Sequence, residues 1–367
     1  MRRKGAEEKP EASAILTPLV SWFEAHRRVL PWRALDLDQP HPDPYAVLVS
    51  ELMLQQTQVV TVVPYFERWM LALPTVRALA EAPEQQIHKL WEGLGYYRRA
   101  RFLQAAARSI HEQGWPADLE GLLALPGLGP YTAAAIASIA FQWPEPALDG
   151  NAFRVLARLL GIETDPKDRG NELRTWLRPA LTAHGPSRMT QALMELGATH
   201  CSKRAQCDSC PLETDCRSRA AGTVDHIPLV APRAKVRSVE ITLIAIQTAG
   251  QYLVNIPAPD GLLAGLWSWA LREEIQPQDL KAAEAARGYR AVEIKRWKGW
   301  TQVYSHRREQ VTPLLLEVEE PFPPTENQCW VSAQELRALP MGRRDQRLRD
   351  LVLQSGEDSH AEAAEKE

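Results

Sequence analysis

A glutamate on the apolar side of a helix can carry chemistry. In YAVLVSELMLQQTQ (Tyr45–Gln58), Val47 and Leu48 precede Glu51 and Leu54 follows it at helical spacing, so the expected helix buries its carboxylate. Burial disfavours the charged form, and a carboxyl that keeps its proton at neutral pH can serve as a general acid. A second carboxylate, Asp149, follows a Pro-bracketed break in LDGN, with Asn151 beside it. Two carboxyl groups with acidities pushed apart are the apparatus of sugar-bond hydrolysis. The competing reading is a solvated glutamate or one paired with arginine, and spacing alone leaves it open.

Four of the five cysteines crowd into CSKRAQCDSCPLETDC, as Cys201, Cys207, Cys210 and Cys216, while Cys329 stands alone as an inert thiol. Such crowding points to a metal or cluster site rather than to scattered thiols. Structural zinc sites more often show two close pairs, and this spacing has one; four thiolates also suit a [4Fe–4S] cluster. Disulfides are the weaker alternative for an intracellular chain.

These groups need elements to hold them. LLALPGLGPYTAAAIASIAF reads as helix, glycine turn, helix. Gly127 and Gly129 are free to take positive φ and to admit a foreign backbone, with turn N–H groups facing outward at the next helix start, an anion seat. The helix that follows is nearly free of charge and built of small residues, suited to deep packing. Its bland counterpart is an ordinary αα-hairpin.

At 367 residues the chain is expected to hold two domains, with 45% hydrophobic and 24% charged residues, as in soluble globular proteins. A disordered tail is expected over 1–14, a helical domain over 15–227 with a cysteine loop at 201–216, and a linker over 228–238. An α+β domain is expected over 239–354 and a second tail over 355–367. In the α+β part, VEITLIAIQ, TAG and QYLVNIP read as a hairpin, YRAVEIKRW and TPLLLEVEE as strands, and residues near 277–287 and 332–339 as helices. No apolar run reaches membrane-span length, and MRRKGAEEKPEA lacks the apolar core of a signal peptide, so a cytoplasmic protein is expected, at the nucleoid if bacterial. A net charge of -3 argues mildly against a nucleic-acid partner. Local basic runs, including Arg98, Arg99, Arg101 and Arg108, keep DNA binding open.

LPGxGxYTA followed by LDGN resembles the helix-hairpin-helix and catalytic-aspartate segment of the endonuclease III superfamily of DNA base-excision glycosylases. SELMLQQTQV resembles the segment bearing the catalytic glutamate of adenine DNA glycosylases, the MutY family. WEGLGYYRRAR (Trp91–Arg101) resembles the family's GLGYYxRA, whose loop, here with Leu94, enters DNA; Tyr96 and Gln56 fall where wedging groups stand. QALMELGA places Glu195 where the family contacts adenine, and LPWR contributes Arg33. The family's first cysteine gap is six residues, one longer than here. The last domain resembles the Nudix-like C-terminal domain of these enzymes. GLLAGLWSWA echoes GLLxGLWxFP, and VYSHR sets Tyr304, Ser305 and His306 where Phe-Ser-His reaches a damaged guanine. The Nudix catalytic box around Arg272-Glu273-Glu274 is missing, so pyrophosphatase chemistry is not expected.

The resemblance implies a mainly α helix-hairpin-helix glycosylase domain with a four-cysteine [4Fe–4S] cluster loop, followed by the α+β Nudix-like domain. It implies a monomeric, monofunctional enzyme that hydrolyses the glycosidic bond of adenine opposite 8-oxoguanine or guanine in double-stranded DNA, leaving an abasic site. Glu51 and Asp149 would carry the chemistry, with Asn151 helping to fix the local backbone or phosphate. Tyr131 occupies the place where the superfamily's lyases have lysine, so no Schiff base is expected. The alternatives are a thymine-mismatch glycosylase, which Glu195 and the last domain disfavour, and a non-catalytic damage-binding protein, which the two carboxylates disfavour.

Overall fold

The structure, a computed structural model, describes residues 11–229, 236–258, 264–273, 291–304 and 307–364. Ser305, His306 and the helix expected near 277–287 lie outside these residues. Backbone contacts divide the chain into two compact units. One is Met1–Glu81 with Phe102–Pro232; the other is Ala82–Arg101 with Arg233–Glu367. The segment Ala82–Arg101 therefore groups with the C-terminal unit, although it lies within the helical domain read along the sequence. Specific polar contacts hold it there: Tyr97 donates from its hydroxyl to the Met341 carbonyl at 3.1 Å, and Arg349 pairs with Glu92 at 3.0 Å.

In the first unit, Asp43 caps helix α2 (Pro44–Leu54) by accepting from the Tyr45 N–H at 3.0 Å, and Pro44 opens the helix with its φ already set. Every residue from Tyr45 to Met53 is buried, so this helix is immersed all round rather than along one stripe. It ends at Leu54, four residues before the expected Gln58, because Gln56 takes a left-handed φ of 58° and the chain restarts at α3 (Val59–Ala72). The first helix, α1 (Ala12–His26), begins inside the tail expected over 1–14, because Ala12 is buried in the core, and it too stops before LPWR. An apolar core in this unit joins Leu16 and Phe23 of α1 to Leu156, Leu177 and Leu193, and Cys201, Cys210 and Cys216 pack against it.

Helices α7 (Leu119–Ala124) and α8 (Pro130–Phe141) form the hairpin anticipated around the glycine turn. Gly127 has φ of 78°, and a Cβ there would collide with the Phe102 side chain, so glycine is required twice over. Gly129 departs from expectation. Its φ is -80° and ψ 175°, extended backbone at the N-cap of α8, since the following Pro130 disfavours helical geometry before it. Residues Thr132 to Ala140 of α8 are all buried, as the small side chains allow.

The C-terminal unit carries a mixed sheet. Strand β1 (Arg237–Thr248) returns antiparallel as β2 (Gln251–Asn255) through Ala249 and Gly250, at φ of 44° and 77°, the positive values that match hairpin twist. The further strands are β3 (Ala270–Glu273), β4 (Ala291–Arg296), β5 (Trp300–Val303), β6 (Arg307–Val318) and β7 (Gln328–Ser332). Their order is β4-β6-β1-β2-β7, with β3 on β1, β5 on β6, and β6 parallel to β1. The run Leu243 to Ile246 in β1 is buried on both faces, which explains its unbroken apolarity. The expected tail at 355–367 is instead helical as far as Ala364, within the helix Arg343–Ala364.

Candidate active site

A cavity of about 550 Å³ in the first unit is lined by Glu51, Tyr131, Asp149, Asn151, Glu195, Arg33 and Arg28, with apolar walls including Trp32, Val47 and Met194. Glu51 is 5% exposed. Burial is the main reason its carboxyl is raised from 4.5 to about 7; the Tyr131 hydrogen bond and Arg33 oppose this, and Asp149 adds to it. The Tyr131 hydroxyl donates to Glu51 Oε2 at 3.0 Å. That phenol is itself pushed well above its ordinary value, chiefly by burial and then by the two carboxylates.

Asp149 is the N-cap of α9 (Gly150–Leu160). One carboxylate oxygen accepts from the Ala152 N–H at 2.7 Å and the other from Asn151 Nδ2 at 2.8 Å. The helix N-terminus and the amide hold the carboxylate still, and helix start and carboxylate support each other. Asn151 Oδ1 in turn accepts from Arg154 at 2.8 Å, and Arg154 also donates to the Gly197 and Cys201 carbonyls at 2.8 and 2.7 Å. Helix α11 (Pro186–Thr199) can approach this loop because position 197 is glycine: a Cβ there would lie 2.7 Å from Asn151 Cβ.

Glu195 enters from α11 and is clamped by Arg28 at 2.5 Å and Arg33 at 2.6 Å. Burial opposes its charge, but the two guanidinium groups outweigh it and hold its carboxyl below the ordinary range. Replacing Glu195 by alanine leaves two cations facing each other and is expected to cost about 3 kcal/mol of unfolding free energy, read from the urea midpoint. An unshifted midpoint would mean that the clamp contributes nothing to the fold.

The structure thus gathers Glu51, Tyr131, Asp149, Asn151, Glu195 and Arg33. Gln56 is exposed in the turn that follows α2. Tyr96, with φ of 48° and 44% exposure, belongs to the other compact unit, as does Tyr304, whose phenol burial pushes up to about 12. Leu94 is buried at 7%. Arg99 is no solvated charge: it is buried at 7%, stacks on Trp91 and Tyr96, and is lowered to about 10, chiefly by burial. Sequence reading missed Arg28 and Arg154. Arg154 stands three residues after Asn151, the spacing of neighbours on one helix face, and that signal was available.

Cys201, Cys207, Cys210 and Cys216 line a separate small cavity of about 30 Å³, together with Arg158 and His200. None is in a disulfide. Burial, then the neighbouring cysteines, push the Cys210 thiol up to about 11. Among the described residues no three His, Cys, Asp or Glu side chains converge closely enough for a single metal ion. All four cysteine side chains are soft sulfur donors, the chemistry that iron–sulfur clusters take as ligands.

Residues 49–179 match the model of the HhH-GPD superfamily base excision DNA repair protein family. The adenine DNA glycosylase of Mycolicibacterium smegmatis is 40% identical to this chain over 211 residues, covering 56% of this chain and 69% of that protein. The chain belongs to the adenine DNA glycosylase family. A family member from Arabidopsis thaliana is 36% identical over 299 residues, covering 71% of this chain and 47% of its own length. The chain therefore spans about half the length of that relative. A thermostable thymine-DNA glycosylase shares the fold of the helical part, with TM-score 0.50 and 24% identity over 57% of this chain and 96% of its own. Among the described residues no helix is long and apolar enough to cross a membrane.

Proposed function

We infer that the chain removes adenine from mispairs with 8-oxoguanine or guanine in duplex DNA. The observation that carries this reading is a buried glutamate raised to about 7, sharing one cavity with the capped carboxylate of Asp149. Adenine must leave the stack before its sugar bond can be reached. The apolar walls around Trp32 and Val47 suit a flat ring, and the Glu195 carboxylate can accept from an exocyclic amine. Protonation of adenine at N7 by Glu51 makes the base a better leaving group. The glycosidic electron pair departs with the base, and the positive charge left on the deoxyribose faces Asp149. Water attacks C1′ as Glu51, now a carboxylate, takes its proton.

The hairpin turn supports phosphate binding, since a side chain at Gly129 would meet open space and α8 begins beside it. Cys201, Cys207, Cys210 and Cys216 would hold a [4Fe–4S] cluster that supplies structural order to the loop. Purified protein is then expected to contain iron and sulfide and to absorb near 400 nm, roughly as such clusters do. Zinc without iron on elemental analysis would reject this assignment.

The reading is tested with duplexes holding A opposite 8-oxoguanine, G or T, and T opposite G. Adenine should be released from the first two, with strand breakage only after alkali. Because Tyr131 is no amine, borohydride should trap no covalent adduct; efficient trapping would show that another amine attacks the sugar. Removal of thymine but not adenine would move the chain to the mismatch class.

A further inference from the structure

The segment Gly93–Tyr97 presents an exposed aromatic on a backbone that does not hold itself. Gly93, Gly95 and Tyr96 all have positive φ, at 98°, 75° and 48°. For tyrosine that conformation is disfavoured and persists only where surrounding contacts impose it. Three groups of contacts do so, all inside the C-terminal unit. Trp91, fully buried, donates from its indole to the Gly95 carbonyl at 3.0 Å, and Arg99 donates to the same carbonyl at 3.1 Å while stacking on Tyr96. The Tyr97 hydroxyl accepts from the Gly93 N–H at 3.1 Å and donates to the Met341 carbonyl. Glu92 accepts from the Met341 N–H and from Arg349, both at 3.0 Å, and from Lys89 at 2.8 Å.

The Glu92 and Arg349 side chains are each only 7% exposed. Arg349 Nη1 also donates to the Leu339 carbonyl at 3.0 Å, and its Nε donates to Asp350 at 3.2 Å, so its guanidinium is held at both ends. A buried charge pair of this kind favours one arrangement, because Glu92 meets Arg349 and the Met341 N–H through the same carboxylate oxygen, and loss of the guanidinium leaves that oxygen one donor short. The tip it fixes is a Tyr96 ring with nothing within 4 Å of a Cβ at the preceding glycine, which leaves room for bases to close on it.

Resting on the adenine-excision reading, we propose that the exposed Tyr96 enters the duplex as the adenine leaves the stack, and that the Glu92–Arg349 pair and the Tyr97–Met341 hydrogen bond set the attitude of its ring. Arg349, in the first turns of the last helix, is thus a positioning residue for base-pair opening.

The test follows opening directly. A duplex carries a 2′-fluoro-2′-deoxyadenosine, which resists cleavage, opposite 8-oxoguanine, with 2-aminopurine beside it to report unstacking by fluorescence. Arg349→Met in the full chain is expected to slow the fluorescence rise about tenfold while the duplex Kd changes less than about threefold. Arg349→Lys should recover most of the rate. Tyr97→Phe, which removes one hydroxyl and keeps the ring, should slow opening in the same sense and decides the matter should Arg349→Met not fold. Opening at the wild-type rate in Tyr97→Phe and in any folded Arg349→Met overturns the proposal. That outcome is distinct from failure of the underlying reading, in which the wild-type chain releases no adenine at all.

Discussion

Glu51→Gln is expected to lower single-turnover adenine release by at least about a thousandfold, because one residue is both the acid for the leaving base and the base for water. Gln keeps the size of the side chain and can still accept from Tyr131, so duplex binding should persist. Near-normal release by this variant would remove Glu51 from the mechanism. The wild-type rate is expected to fall as pH rises through about 7, where the buried carboxyl loses the proton it donates. The folded value, about 7, lies above the ordinary 4.5, so the contribution of this group to stability is fully present below 4.5 and is lost as pH rises through about 7. Above that range Glu51→Gln should therefore melt at a higher temperature than the wild type, a direction opposite to that of an ordinary damaging substitution. A lower melting temperature at about pH 8 would contradict burial as the main source of the raised value.

Asp149→Asn is expected to lower base release by about a hundredfold to a thousandfold, the scale on which removal of one preorganised electrostatic partner acts. Asparagine can still cap α9, since its Oδ1 can accept from the Ala152 N–H as Asp149 does. The substitution thus separates the negative charge from the cap, and thermal unfolding should change little. Asp149→Ala would lose both, with a further loss of about 1 kcal/mol of stability. Equal activity of Asp149→Asn and wild type would show that the carboxylate serves the helix and not the sugar.

Much of this arrangement was legible along the chain because it is local. The Asp149 cap and Asn151 sit two residues apart, the hairpin lies between adjacent helices, and the four cysteines fall within one loop. The periodicity of the residues around Glu51 anticipated burial, although the helix proved immersed on every side and shorter by its last turn. Composition and patterning also anticipated the change from helices to sheet near Arg237. Gly129 shows the limit of reading residue type alone: glycine permits a left-handed backbone, and the proline that follows selects the extended one.

Other features depend on distance in sequence. Glu195 meets Arg28 across 167 positions, and its helix gives no sign of which cations will neutralise it. Arg349 meets Glu92 across 257 positions, which groups a segment within the helical stretch with the C-terminal sheet. Sequence by itself determined the chemical groups and their local frames, because caps, turns and helical spacing are short-range. Only tertiary structure decided the acidity of Glu51, the pairing of Glu195 and the holding of Tyr96, because burial and charge pairing are fixed by what the folded chain brings from elsewhere.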